Sequence, residues 1–494
     1  MRKYLVVLVA ALALVAFTMP TPAAAADIKA SGFFRSYAIM SNFHDGGGGP
    51  SLRTSDEEQT NSYVASRFRV KWQFGMENVK VVWYLESDFK WGDQSGSTPS
   101  GSGGASRNTG GALGADRVQT ETKQINVWFK IPNTSLSATA GIHTVKDSYS
   151  GIFSAGNDMA GLTFRGKYEP VKYRLVWAKL YENTRHHSDD ATLYIAEVKF
   201  APTKDSKLGI NLYFLQDDQG KDGPSNLSFK RFDSTPGSFD GQVFNSESKL
   251  RLYMPGIDGS IKAGPVKLSG FFFYQTGEFE ATAPGDSDID ISGFAVDLRG
   301  DFKVGPGKAF IEGLYISGDD NINDDDYESI ITLGEYQSGA PVGPGGYNGF
   351  TRTGMVLLLP NPKMATVSQC IIGCSGDEFG DSMSNSGRGL WIIAAGYGQK
   401  FTDRVSGNFR IGHMEATELY DYDKAAGRDE DMGTEVNATV NIKIQKGLDL
   451  SLVGAYLFLG DFVRDVDSAD PFTNPNLDTF EDAWATYARL AVKF

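Results

Sequence analysis

Residues 63–76 read YVASRFRVKWQFGM, and their alternation decides the fold. Val64, Phe68, Val70, Trp72, Phe74 and Met76 fall on one face, with Ser66 as the exception. Ala65, Arg67, Arg69, Lys71 and Gln73 fall on the other. A period of two over more than ten residues is a long β-strand with one apolar and one polar face. The same pattern recurs at 433–445, where Val436, Ala438, Val440, Ile442 and Ile444 alternate with Glu435, Asn437, Thr439, Asn441 and Lys443. It recurs again at 290–304, with Phe294, Val296, Leu298, Phe302 and Val304 opposite Asp297, Arg299, Asp301 and Lys303. Strands of this length suit a tilted membrane crossing better than a soluble sandwich.

Working outward, eighteen such segments can be marked between residues 28 and 494, and the connections between them alternate in character. Short ones, such as Glu77-Asn78, Glu169-Pro170, Thr402-Asp403 and Lys446-Gly447, have tight-turn compositions. Long ones lie between them, among them 146–158 and the largest, 319–388. Eight short and nine long connections, with both chain ends on the short-turn side, predict an all-β, antiparallel, up-and-down transmembrane β-barrel of about eighteen strands, with sixteen as the alternative. After the first 26 residues no apolar run is long enough for a membrane helix, so strands must do the crossing.

Those first 26 residues read as a cleaved signal peptide. Arg2 and Lys3 precede an apolar run over 5–17, and Ala24-Ala25-Ala26 offers an A-x-A cleavage site. The expected mature chain, 27–494, is one barrel domain. Without Arg2 and Lys3 it holds 45 basic against 61 acidic residues, a net charge of −16, which argues against nucleic acid as a partner. Cys370 and Cys374 are the only cysteines, and their spacing in a Gly- and Ser-rich stretch permits a local disulfide. Enzyme signatures are absent: there is no G-x-S-x-G, H-E-x-x-H or P-loop, and the five histidines are scattered.

If the apolar faces meet lipid, the polar faces line a lumen. That parity nominates Arg67, Arg69, Lys71, Arg165, Lys167, Lys172, Arg174, Asp297, Arg299 and Asp301 as pore-lining, and the long connection 146–158 carries Asp147 and Asp158. Rings of such side chains set ionic selectivity, and this set predicts a weak preference for anions. The outer loops are acidic. Asp319, Asn321 and Asn323 begin like a calcium loop, but Asp324 stands where Gly is needed and Ile330 where the bidentate Glu should be, so no metal cofactor is firmly indicated.

Two places carry a family resemblance. In 483–494, Leu490, Val492 and the terminal Phe494 alternate with Arg489, Ala491 and Lys493, which resembles the carboxyl-terminal signal read by the barrel-assembly machinery. The run 140–161 resembles the third loop of Gram-negative general porins, which folds inward and narrows the pore. The chain lacks that loop's usual Pro-Glu-Phe-Gly-Gly run and has eighteen rather than sixteen strands, and its general style is similar to porins of anaerobic metal- or sulfate-respiring bacteria. The resemblance implies an outer-membrane porin for passive diffusion of small hydrophilic solutes, a homotrimer in contact with lipid and lipopolysaccharide. Two other functions fit the same sequence: a substrate-selective channel for anions or sugars, and a barrel sheathing an electron-transfer cytochrome.

Overall fold

A computed structural model describes residues 27–42, 60–93, 110–114, 118–182, 186–218, 230–232, 241–243, 249–281, 287–321, 324–333, 350–359, 383–385, 387–425, 427–464 and 482–494. The expected strands are there. They are β1 (Asp27–Ser41), β2 (Asn61–Gly75), β3 (Val79–Lys90), β4 (Glu121–Lys130), β5 (Leu136–Val145), β6 (Asn157–Tyr168), β7 (Val171–Tyr181), β8 (Ala191–Thr203) and β9 (Ser206–Asp217). There follow β10 (Lys249–Ala263), β11 (Val266–Tyr274 and Thr276–Glu280), β12 (Ile289–Ile291 and Phe294–Val304), β13 (Gly307–Ile316) and β14 (Leu390–Lys400). The last are β15 (Val405–Ala416), β16 (Asp431–Gln445), β17 (Leu448–Leu459) and β18 (Ala483–Lys493).

Each strand pairs antiparallel with its sequence neighbour, and β18 pairs with β1, so eighteen strands close into a barrel with no free edge. At the seam Tyr37 stands opposite Arg489 and Arg35 opposite Ala491. The terminal Phe494 finishes the closure: its N–H and C=O bond to the C=O and N–H of Gly32, and its ring stacks on Phe68. The signal segment, Cys370, Cys374 and Asn323 lie outside the described residues.

Alternation sorts the side chains as the sequence implies. Ile210, Leu298, Ile311 and Ile393 are more than half exposed on the outside of the barrel. Large apolar side chains spread around an outer wall are a lipid-facing belt rather than a soluble surface. Not every tryptophan joins the belt: Trp128 shares its strand face with the inward residues, and Lys80 lies 5.2 Å from its ring.

Two strands are interrupted. β11 breaks at Gln275, which is fully buried and donates to Ile331 O (2.8 Å) while accepting from Ile331 N (2.6 Å). The break turns a ladder position into an anchor for the loop after β13.

Parity gives a direct test on β16. Val440 is 39 % exposed outside, whereas Asn441 hydrogen-bonds Ser451 on the inner face (2.8 Å). Val440→Arg is expected to cost about 2–4 kcal/mol if it lies near the bilayer midplane, and Asn441→Arg much less. The check is the fraction of heat-modifiable barrel in lipid, and equal losses for both variants would contradict the assignment.

Candidate functional site

Two connections on the long-loop side fold into the barrel. The first, 146–156, follows β5. Asp147 organises it: one carboxylate oxygen accepts from the N–H of Tyr149 and Gly151, the other from Phe153 and Ser154, all at 2.8–2.9 Å. Tyr149 and Phe153 are thereby driven against Tyr213 on β9, and Tyr149 also against Phe271 and Phe273 on β11. Gly256 on β10 makes room, since a Cβ there would lie 2.4 Å from the Tyr149 hydroxyl. Ser148 ties the loop to Glu197 on β8 (2.8 Å).

The second is 350–359, within the long connection after β13. Arg352 reaches Asp297 (3.1 Å), Glu312 (2.9 Å) and Ser269 (2.9 Å), and its carbonyl accepts from Arg299 (2.7 Å). Gly354, at φ +71°, turns the chain beside Arg410. Glu435 on β16 then accepts the N–H groups of Val356, Leu357 and Leu358 at 2.8–3.1 Å. A carboxylate serving three consecutive amides satisfies backbone that would otherwise be orphaned in a buried segment. Phe153 O also accepts from the N–H of Leu333, earlier in the connection that carries 350–359.

Apart from the flanks of their own strands, the hydrogen bonds and ion pairs of 146–156 and 350–359 to the wall fall on β7 to β16. The opposite wall, from β18 across the seam to β3, carries Arg489, Arg35, Arg67, Arg69 and Lys71 on its inner face. The cross-strand pairs Arg35–Arg67 and Lys71–Tyr84 fix that parity.

Several sequence expectations need correction. Arg67 and Arg69 are not a bare basic row: Arg67 pairs with Asp88, Arg69 with Glu86, and Lys123 adds a contact to Glu86 at 3.4 Å. Arg174 pairs with Glu197. At these positions the charges are matched across strands, as opposed residues on one face of a sheet either pair or repel. Lys167 and Lys172 are opposed to each other at the short-turn end of β6 and β7, exposed at the rim, and Lys167 pairs with Glu169 in the turn. Arg165 is exposed beside Arg174. Asp297 is covered by Arg352, and Arg299 is held by Asp301, Glu312 and the Phe310 ring, so Asp297 and Arg299 anchor a loop instead of lining open water, while Asp301 only flanks them. Asp147 is spent on its own loop. Asp158 lies on β6, not in the loop, and accepts from Thr144 and Gln124.

The acidic loop after β13 gathers three carboxylates. Asp319 is joined by Asp320 and Glu328, with ligand atoms within 4.8 Å of one another, and accepts from the N–H of Asn321 (3.3 Å). Burial first, then the neighbouring Asp320, Asp324, Asp326 and Glu418, pushes the Glu328 carboxyl above its ordinary value. Glu418 is raised for the same reasons, burial first and Asp320 next.

What sequence parity missed is Arg35 and Arg489. Both sit in segments whose alternation is legible, but only closure of the first strand on the last makes them neighbours.

No protein-family model matches the chain, and no curated protein sequence matches it. Solved structures do. The chain is similar to OccAB4 of Acinetobacter baumannii at 9 % identity and a TM-score of 0.50, covering 95 % of this chain and 98 % of that one. It is similar to OccK5 (OpdH) of Pseudomonas aeruginosa at 12 % identity and a TM-score of 0.48, with the same coverage. The outer membrane protein OpdK of Pseudomonas aeruginosa matches at 10 % identity and 0.49, again over 95 % and 98 %. Closed eighteen-strand topology, an apolar outer belt and the likeness to OccAB4 define a multi-pass outer-membrane β-barrel with the porin fold.

Proposed function

We propose that the protein is an outer-membrane channel through which small hydrophilic solutes and ions diffuse, with anions favoured over cations. One observation carries the preference. On the wall that the inward loops do not contact, Arg35, Arg489 and Lys71 have no carboxylate within ion-pair distance among the described residues, although the neighbouring Arg67 and Arg69 do. Charge left uncompensated beside the path acts where an ion must pass, whereas outer-loop carboxylates are screened over about 8 Å in physiological salt. Eighteen strands enclose enough space for an aqueous lumen even with two loops folded in. Export by a cleaved signal, delivery through the assembly machinery by the Phe494-terminated strand and assembly as a homotrimer belong to the same reading, supported by the porin resemblance of the sequence.

The test is the reversal potential of the purified protein in a planar bilayer under a potassium chloride gradient. The wild type is expected to favour chloride. Lys71→Gln combined with Arg489→Gln should move the potential towards potassium. A protein that folds but conducts nothing would overturn the channel, and an unmoved potential would overturn the anion preference.

A further inference from the structure

The short-turn end of the barrel sets lysine directly against lysine. Lys167 stands opposite Lys172, Lys262 opposite Lys267 and Lys303 opposite Lys308, each pair closing its own hairpin. Lys199 extends the first pair, since Lys172 faces it across β7 and β8. Opposed side chains in an antiparallel pair have Cβ atoms about 4.5–5.5 Å apart, and like charges placed so repel. Lys167 reaches Glu169, and Lys199 reaches Asp258 (3.5 Å). Lys172, Lys262, Lys267, Lys303 and Lys308 have no carboxylate within 4 Å among the described residues.

Parity shows which way these charges face. Tyr168, Ile261 and Val304, each next in sequence to one of these lysines, are half exposed or more on the outer wall. Successive side chains in a strand point to opposite faces, so the lysines take the inner face, away from lipid. All of them are exposed at the mouth. Lys130, Lys400, Lys443 and Lys493 are likewise exposed at the same ends of β4, β14, β16 and β18, which carries the basic rim around the barrel. The long-loop end has the opposite sign, with Asp319, Asp320 and Glu328 gathered there.

One small anion can meet one such pair but not a rim that runs from hairpin to hairpin. Lipid headgroups meet the other parity, and the acidic loop after β13 belongs to the far end of the barrel. Outer-membrane barrels turn their short connections to the periplasm. We infer that the short-turn mouth is a docking surface for an acidic polypeptide in the periplasm, whose closely spaced Asp and Glu side chains meet the paired lysines of hairpins 167–172, 262–267 and 303–308. Complementary charge of this kind steers encounter and selects the partner. A glycan strand with one peptide stem per repeat spaces its carboxylates too widely to serve two opposed lysines at once. The inference rests on the outer-membrane topology and not on conduction or on the anion preference.

The surface is tested by fluorescence anisotropy of labelled poly-L-glutamate with the protein in nanodiscs of phosphatidylethanolamine, where both ends of the barrel are accessible. Conduction is not needed, so failure here and failure of the channel are distinguishable. Saturable binding is expected at low salt, weakening as added salt screens the rim. Lys167→Gln, Lys172→Gln, Lys262→Gln, Lys267→Gln, Lys303→Gln and Lys308→Gln in one chain should lower the affinity about tenfold or more. Each two-lysine variant, one hairpin at a time, should lose part of that affinity, and these keep the test valid where the combined variant does not fold. Heat-modifiable mobility confirms that each variant is folded. No binding by folded wild type, or undiminished binding in the folded variants, overturns the surface. Binding abolished when phosphatidylglycerol is added to the nanodisc would give the lysines to lipid headgroups. Co-sedimentation with peptidoglycan sacculi in the absence of any binding to poly-L-glutamate would give them to the cell wall. Either result overturns the polypeptide assignment.

Discussion

Asp147→Ala is expected to open the channel: single-channel conductance should rise and become noisier, while the barrel stays folded. Four backbone N–H groups depend on that carboxylate. Leaving a buried donor unsatisfied costs about 1–3 kcal/mol, so four together exceed what one short loop can bear. The loop has an escape that a core lacks, because it can leave the wall and hydrate its amides in the lumen. In doing so it surrenders the packing of Tyr149 and Phe153 on Tyr213. The strand ladders of β5 and β6 do not involve Asp147, so heat-modifiable mobility should survive. Asp147→Asn keeps one accepting oxygen and should fall between. Unchanged conductance in Asp147→Ala would mean that 146–156 does not limit the pore.

The second large effect is expected from Arg352→Ala, and it differs in sign of selectivity. Arg352 bridges two carboxylates, Asp297 and Glu312, whose side chains are wholly inaccessible. Removing one partner of a buried ion pair costs about 3–5 kcal/mol, because the remaining charge is stranded. Glu312 retains Arg299 at 2.7 Å, whereas Asp297 loses the ion pair it makes with Arg352. The strain is relieved if 350–359 lifts and water reaches the carboxylates. Conductance should therefore rise, as for Asp147→Ala, but the newly uncovered Asp297 and Glu312 should also draw the reversal potential towards cations. Arg352→Lys, which keeps one charge but not the fork, should show a smaller change in both. A rise in conductance with no shift towards cations would show that these two carboxylates stay shielded from the path.

The sequence determined a great deal. Alternation over 63–76, 290–304 and 433–445 is a local property, since each residue's face follows from its parity. Strand number, the sorting of short and long connections and the outward position of Val440 are therefore legible without any contact map. So is the strand character of the last segment, 483–494. Parity, however, says only that a side chain points inward. It does not say whether inward means water, a paired charge or a packed loop. That is why Asp297, Arg299 and Asp301 read as lining when two of them are bound up in the anchorage of Arg352, and why Arg67 and Arg69 read as a free basic row when Asp88 and Glu86 meet them from the next strand. Glu435 looks like an ordinary inner-face carboxylate until residues 77 to 79 positions earlier arrive to use it. The tertiary structure alone decided which wall the loops cover, because those contacts join segments distant in sequence. It also decided which arginines remain without a counter-charge. Arg35 and Arg489 lie near opposite ends of the chain, and only the hydrogen-bonded closure of β1 on β18 sets their charges side by side.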